Sequence, residues 1–505
     1  MKNWWVALLV IVGVGFSPPA SGTGTLVPAT FTRPLERVTT IDPAQAQAVY
    51  DARAVGLLYN QVLNIDYYAR PYKLVPGVCK LPTVSEDGLT YTFEMNDATI
   101  TPEEVKYSLS RLMDPSCPNY WLVKNIDSII LHSSFFTIHL KHPQRVFPWL
   151  MAMPQASVMH LDGSPTGAFT LTSWWKNHEM VFGRACRSAT AGGDGVAALP
   201  SAASPAMQVK YLVVDDASTQ WLMFLRGELD MLAEVSRDNW DAVVGPDGAL
   251  NPALAERGIK MYSMPTLESL YIGINMRDKV LGPNKKLRQA LNCAFDYPKW
   301  EKFYQGRIVK SVSPVPPQVE GALTNDFAYA YNLEKAKQLL AEAGYPGGID
   351  PKTGRRLVLT LAIGRASQDS RESGELIAAF MNEIGIKLEL KFYTWDAFLK
   401  AVNEGNVQLF RMGWVGDYPD AENFLQLFYS KNVSPGPNHC NYVNPDFDAA
   451  FEKEDFKTCQ EIVREDCPWI FTHVNKANSL VWPRVKNFIP SDFPYGQEAY
   501  YGLSD

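Results

Sequence analysis

No Cys-x-x-Cys pair occurs in this chain, which excludes a zinc ribbon even though seven cysteines are present. Those seven (Cys79, Cys117, Cys186, Cys293, Cys440, Cys459 and Cys467) are scattered and odd in number. One or two disulfides in an oxidising compartment and a set of mostly buried free thiols both fit, and spacing gives no connectivity. Also missing are a Gly-x-Ser-x-Gly elbow, a His-Glu-x-x-His pair and a phosphate loop, so the chain is read as not an enzyme. Basic excess is missing too: the formal charge is −7, which favours solubility and argues against a nucleic-acid partner. Past the N-terminus there is no long apolar run, so no other segment is read as crossing a membrane.

The N-terminus itself carries a pattern. Lys2 is followed by an apolar run over residues 4–16, and Ala20, Ser21 and Gly22 offer small residues for cleavage. That is a signal peptide, with an uncleaved membrane anchor as the competing reading. No cysteine lies near the cleavage region, which excludes lipid attachment there and favours a periplasmic protein. At 505 residues the chain is long enough for two or three lobes. Its aromatic content is high, with 13 Trp and 23 Tyr, residues that fill cores and also line ligand clefts.

Along the chain, "VSEDGLTYTFEM" from residue 84 reads as a hairpin turning at Asp87-Gly88. "ITPEEVKYSLSRLMDP" then reads as a helix, with Thr101 as N-cap, Pro102 at the first position and Val105, Leu109 and Leu112 as its apolar stripe. A second hairpin is centred on Ser133-Ser134. Residues 191–206 are small and Pro-rich and read as a surface loop or insertion. From residue 332 onward the pattern is β-α-β-α-β with short connections. Asn332, Gly344, Gly385 and Gly405 punctuate it, and the clean alternation of residues 386–393 suggests an edge or half-exposed strand. Such alternation specifies an α/β sheet with helical crossovers, whose ligands sit beyond the carboxyl ends of the strands.

One stretch, "RMGWVGDYPDAENFL" at residues 411–425, places Arg411 in a strand and Asp417 just past its end. If the chain stays extended, residues 411, 413, 415 and 417 share a face and span about 20 Å. Gly413 and Gly416 leave room for an approaching backbone, and Trp414 and Tyr418 add flat apolar walls. Asp417 at one end and Arg411 at the other suit a short zwitterion such as a peptide. An alternative stays open: "GDYPD" is also a good turn, Asp420 is a fit helix cap, and Arg411 is free to pair with a neighbouring carboxylate.

These pieces, in register with "TGAFTLTSW", "DDASTQWLMFLRGELDM", "YIGINM", "LRQALNCAFD" and "EKAKQLLAEAGYP", resemble the family 5 extracellular solute-binding proteins of ABC transporters. That family includes periplasmic dipeptide- and oligopeptide-binding proteins. The resemblance implies an α/β, two-lobed periplasmic-binding-protein fold of the class II (cluster C) type, with a hinge and an extra N-terminal subdomain. It divides the chain into a signal peptide or anchor (1–22), lobe I (23–45, 166–264 and 480–505), the extra subdomain (46–165) and lobe II (265–479). It implies a protein that closes over short peptides and delivers them to an inner-membrane permease. Asp417 would hold the peptide α-ammonium and Arg411 a carboxylate, with Trp414 and Trp395 lining the cleft beside Tyr418 and Gly413. We expect a monomer without cofactor or metal. The segment at residues 182–200 and an apparently trimmed region at residues 447–470 depart from the family pattern, and Val402 stands where some peptide binders carry a second arginine.

Within the same fold, a nickel chelate, haem, oligosaccharide or opine is the alternative guest, and a membrane-anchored ligand sensor the alternative role. His132, His139 and His142 on the second hairpin read as solvated rather than metal-bound, and Trp174, Trp175 and Trp395 are the aromatics a glycan would need.

Overall fold

The computed structural model describes residues 29–35, 37–185, 204–205, 207–245 and 248–504. The signal-like segment, Cys186 and nearly all of the Pro-rich stretch 191–206 lie outside the described residues.

Lobe I is built on a four-stranded sheet in the order Thr30–Leu35, Gln208–Val213, Glu179–Arg184, Phe169–Trp175. Its first two strands are parallel and the others antiparallel. The helix Val49–Leu58 packs Ala54, Val55, Leu57 and Leu58 into the same core as Phe31, Phe169 and Phe182. The expected boundary at residue 46 therefore falls ahead of an element that shares the lobe I core. What marks the helix as part of lobe I is the partner its apolar side meets, which local sequence does not specify. The extra subdomain builds its own core, chiefly from residues between Val62 and Val158, which Ala44 and Tyr418 also enter.

That subdomain is a small antiparallel sheet in the order Thr83–Val84, Thr90–Glu94, Phe135–Leu140, Ile126–Leu131. Both expected hairpins form, and Gly88 supplies the positive φ of +69° that the first turn requires. The helix Pro102–Ser110 opens on a capping box: Thr101 Oγ1 accepts from the Glu104 N–H, and Glu104 Oε2 accepts from the Thr101 N–H at 2.8 Å.

Lobe II carries the β-α-β-α-β run as strands Val358–Ile363, Lys387–Phe392 and Leu409–Val415. The first is parallel to both others, and Lys387–Phe392 lies at the sheet edge, as its alternation suggested. Leu409–Val415 pairs antiparallel with Glu268–Ile274, which pairs in turn with the long strand Trp469–Val481. Helices cover both faces of this sheet. Lys285–Ala294, Leu333–Glu342 and Gln368–Glu383 bury one side of it, and Trp395–Asn403 with Pro445–Phe451 and Phe456–Asp466 the other.

Two antiparallel strands join the lobes. Lys260–Pro265 pairs with the far end of Trp469–Val481 in lobe I, and after two residues the chain re-enters the ladder as Glu268–Ile274 in lobe II. At the crossing, Asp492 Oδ1 accepts from the Leu267 N–H at 2.7 Å, and Tyr72 Oη donates to Asp492 Oδ2 at 2.9 Å. One carboxylate thus ties the crossing strand, the C-terminal segment and the subdomain edge together. The C-terminal segment also presses against the lobe I helix. A Cβ on Gly56 would lie 2.8 Å from Gly496 N and 2.9 Å from Tyr495 C, both backbone atoms.

The six described cysteines are free and buried, and burial raises the thiols of Cys79, Cys440 and Cys459 to about 12. Of the two readings left open by spacing, the described residues fit buried thiols. Among the described residues no helix is long and apolar enough to cross a membrane.

Gly56→Val should cost about 1–3 kcal/mol, because backbone on the facing segment has no rotamer with which to make room. Urea denaturation of the purified protein reads this directly; an unchanged midpoint and slope would show that the two segments are not in contact in solution.

Candidate functional site

The strand Leu409–Val415 alternates between the two cores of lobe II. Leu409 enters one, and Phe410 and Met412 enter the other. Its ladder ends where the Gly416 N–H donates to Leu267 O at 2.7 Å. A Cβ on Gly416 would meet Leu267 and Phe424 at 2.8 Å, so the turn is made where only glycine fits.

The turn that follows is held by one buried amide. Asn423, fully buried on the short helix Ala421–Leu425, accepts through Oδ1 from Trp414 Nε1 at 2.8 Å and from the Asp417 N–H at 3.3 Å. Its Nδ2 lies 3.5 Å from Asp417 Oδ2. Asp420 caps the same helix by accepting from the Glu422 N–H at 2.9 Å, and it pairs with Arg145 of the subdomain at 2.6 Å. The capping alternative for Asp420 is therefore realised. Tyr418 is buried in the subdomain core and bonds through its hydroxyl to Glu422.

Asp417 is left standing at the edge of this pinned turn. It lines a cavity of about 410 Å³ with Ala48, Val49, Trp121, Met153 and Tyr495, so lobe II, lobe I and the subdomain all contribute to the wall. Among the described residues no cation pairs with it. The carboxyl is open to the cavity yet crowded by protein on its other sides. Lost hydration raises its pKa above the ordinary 3.8, and the Asn423 contact offsets only part of that.

Arg411 is placed otherwise than the extended-chain reading expects. Its Nη1 donates to Ser373 Oγ at 2.6 Å and its Nη2 to Tyr304 Oη at 2.8 Å, and the guanidinium lies 5.7 Å from the Trp300 ring centroid. These partners hold it within lobe II, and it does not line the cavity beside Asp417. Burial, and after it the Arg411 charge, lowers the pKa of His473 to about 3, so that ring is neutral. Gly413 also differs from its expected role. A Cβ there would lie 2.6 Å from Leu270 Cδ2 and 3.1 Å from Glu268 Oε1, so the protein's own neighbouring strand fills the space. Trp414 is half-buried and tied to Asn423, and Tyr418 faces away from the cleft, so neither is the open flat wall expected. Arg411 and Gly413 lie within the strand and are occupied by their own neighbours, whereas Tyr418 is turned away by the pinned turn that ends the extended geometry at residue 416. Trp395 fits better. It is 55% exposed, stacks on Phe398 with centroids 5.5 Å apart, and lies over Gly364 at the carboxyl end of Val358–Ile363.

Sequence reasoning passed over a second cavity, of about 820 Å³, which shares Gln47, Ala48 and Val49 with the first. Arg33, Arg53, Gln220 and Glu234 line its polar part. Arg33 is almost fully buried and pairs with buried Glu498 at 3.2 Å. Arg53 makes no hydrogen bond or ion pair among the described residues. Desolvation first, and the nearby Arg33 charge second, lower its pKa to about 10. A signal existed: Asp51 and Arg53 interrupt an otherwise apolar helix, and Asp51 is accounted for by accepting from the Thr39 N–H at 2.7 Å and the Thr39 hydroxyl at 2.9 Å. Among the described residues no three of His, Cys, Asp and Glu are grouped to hold a metal ion. His132 stacks on Phe135, and His139 bonds Thr90 Oγ1 through Nδ1.

Two outcomes follow from this arrangement. Asn423→Ala should cost about 1–3 kcal/mol in urea denaturation, because it strands the buried indole N–H of Trp414. Asp417→Asn should stabilise the unliganded protein at neutral pH. A carboxyl whose native pKa lies above its unfolded value binds its proton more tightly when folded, so its contribution to stability is lost as pH rises. The advantage of the variant should therefore appear as pH rises above 3.8 and level off past the native value. Denaturation midpoints compared across that range test it, and an advantage that shrinks with rising pH would refute the desolvated carboxylate.

The chain matches the sequence profile described as "Bacterial extracellular solute-binding proteins, family 5 Middle" over residues 73–436. Heme-binding protein A of Haemophilus influenzae is 26% identical, with 89% of this chain and 88% of that protein covered. The dipeptide-binding protein of Escherichia coli K12 is 23% identical, with 90% of each covered. Among solved structures, the unliganded open form of the periplasmic murein tripeptide binding protein MppA superposes with a TM-score of 0.78 at 19% identity, covering 94% of this chain and 97% of that one. The Helicobacter pylori periplasmic binding protein DppA in complex with the peptide STSA gives 0.69 at 22% identity, covering 94% and 98%. The two-lobed architecture is thus that of periplasmic binding proteins, and this chain belongs to the family 5 bacterial extracellular solute-binding proteins.

Proposed function

We propose that this protein is the solute-capturing component of an ABC importer that takes short peptides. In this reading it is exported to the periplasm, works as a monomer, and passes its guest to a permease in the inner membrane. The supporting observation is Asp417: a carboxylate without a cation among the described residues, raised in pKa by incomplete hydration, on a turn held by Asn423 and open to a cavity bounded by both lobes. An ammonium group is the partner such a carboxylate lacks. Peptide-binding relatives support the choice of guest.

The mechanism is closure about the two crossing strands. The guest meets Asp417 in the open cleft, and the lobes then remove both from water. Closure is favoured only by the difference in affinity between the closed and open states. Removing the ammonium and carboxylate from water costs hydration, so the pair gains only when further donors and acceptors satisfy the guest. Gln47 and Gln155 on the same cavity wall are such groups. Arg411, engaged by Ser373 and Tyr304, is a positioning residue for lobe II in this reading.

Titration calorimetry of the purified protein with free and N-acetylated dipeptides tests the assignment. Free dipeptides should bind and their N-acetyl forms should not. Asp417→Ala should weaken binding about 30-fold or more, the usual cost of unpairing a buried charge. Affinity should also fall as pH drops through the raised Asp417 pKa, because protonation removes the charge the ammonium needs. Equal binding of free and acetylated peptides, or binding of haem or an oligosaccharide in place of any peptide, would overturn it.

A further inference from the structure

We propose that Arg53, on the lobe I helix, takes the carboxylate of the guest, so that the protein selects short zwitterions spanned between Arg53 and Asp417. This rests on the peptide-binding reading above and assigns the end of the guest that Asp417 does not hold.

The first observation is placement. Around Arg53, residues Ala52, Ala54 and Val55 are buried in the helix Val49–Leu58, while Arg53 itself is half-buried and lines the cavity of about 820 Å³. The second is charge. Two guanidiniums, Arg33 and Arg53, share one buried carboxylate, Glu498, and only Arg33 reaches it. A positive charge is left over at a site where hydration is incomplete. Such a charge lowers stability unless something satisfies it, and a ligand carboxylate is the bidentate partner for a guanidinium fork. Glu234 also lines this cavity and is exposed, but it makes no ion pair with Arg53; its charge acts on Glu268 and Arg307. The third observation is reach. The phenol of Tyr495 is acted on by both Arg53 and Asp417, with opposite signs, and the two cavities share Gln47, Ala48 and Val49. One small guest lying along that shared wall can meet both charges.

The two anchors come from different lobes and carry opposite signs. A dianion would be repelled at Asp417 and a dication at Arg53, whereas a zwitterion bridges the cleft and draws the lobes together. Arg411 is excluded from this part because Ser373 and Tyr304 already engage it.

The test uses alanyl-leucine and alanyl-phenylalanine, each as the free acid, the C-terminal amide and the N-acetyl derivative. Binding is followed by calorimetry on the full-length mature protein. In the wild type the amide should bind about 30-fold or more weakly than the acid. Arg53→Gln should abolish that difference, and Arg53→Lys should restore part of it, since the charge returns without the fork. Asp417→Asn should keep the preference for acid over amide while losing the preference for free over acetylated. The melting temperature of unliganded Arg53→Gln should match or exceed that of the wild type, because a desolvated, unpaired charge has been removed. An acid-to-amide ratio unchanged by Arg53→Gln overturns the inference and leaves the ammonium reading standing. A melting temperature lowered by several degrees also overturns it, by marking the arginine as structural. If the wild type binds none of these peptides, both readings fall together.

Discussion

Everything at the cleft depends on one buried side-chain amide. Asn423 is fully enclosed, and a buried amide has to find partners or forfeit its hydration. It finds them in the indole of Trp414 and the backbone N–H of Asp417, so the end of a strand and the turn after it are fixed to the same helix. With Tyr418 buried in the subdomain core and Asp420 bound to Arg145, the turn has no freedom to swing Asp417 toward a cation of its own. The carboxylate is held in place and, among the described residues, left without a counter-charge. An uncompensated charge held by the surrounding contacts is what a binding site requires and a folding core avoids.

The same logic acts across the cleft. The Arg33 charge lies close enough to lower the preference of Arg53 for charge, and Arg33 takes the nearby carboxylate of Glu498. Tight contact between Gly56 and Gly496 fixes the helix that carries Arg53 to the segment that carries Tyr495. The C-terminal segment then reaches the strand crossing through Asp492, which bonds both Leu267 and Tyr72. The wall beside Asp417 and the joint between the lobes are therefore linked through one short stretch of chain. Such a connection is the mechanical condition for coupling closure to occupancy.

Much of the architecture was legible in the sequence because it is specified locally. Thr101 and Glu104 form their capping box, Asn332 caps its helix, and the edge strand at Lys387–Phe392 alternates as its sequence does. The parallel pairing of lobe II followed from the alternation of helices and strands. Asp417 was legible as a turn residue past a strand end, and Asp420 as a cap. Less legible was where side chains point once a turn interrupts the strand. Residues 411, 413, 415 and 417 were read as one continuous face with Trp414 and Tyr418 as flat walls, but the strand ends at Val415 and Tyr418 is buried in a second core. The helix Val49–Leu58 illustrates the same limit, since its apolar side reveals that it packs but not on which lobe.

By itself the sequence determined the kinds of elements, their caps and their order, because these arise from neighbours within a few residues and from the period of apolar positions. Only the tertiary structure decided which charges are left without partners. Arg33 finds Glu498 across 465 residues and thereby leaves Arg53 without an ion-pair partner among the described residues, and Asn423 settles the setting of Asp417 through a helix that must first pack. Charge neutralisation is a property of three-dimensional neighbours, and no reading along the chain contains it.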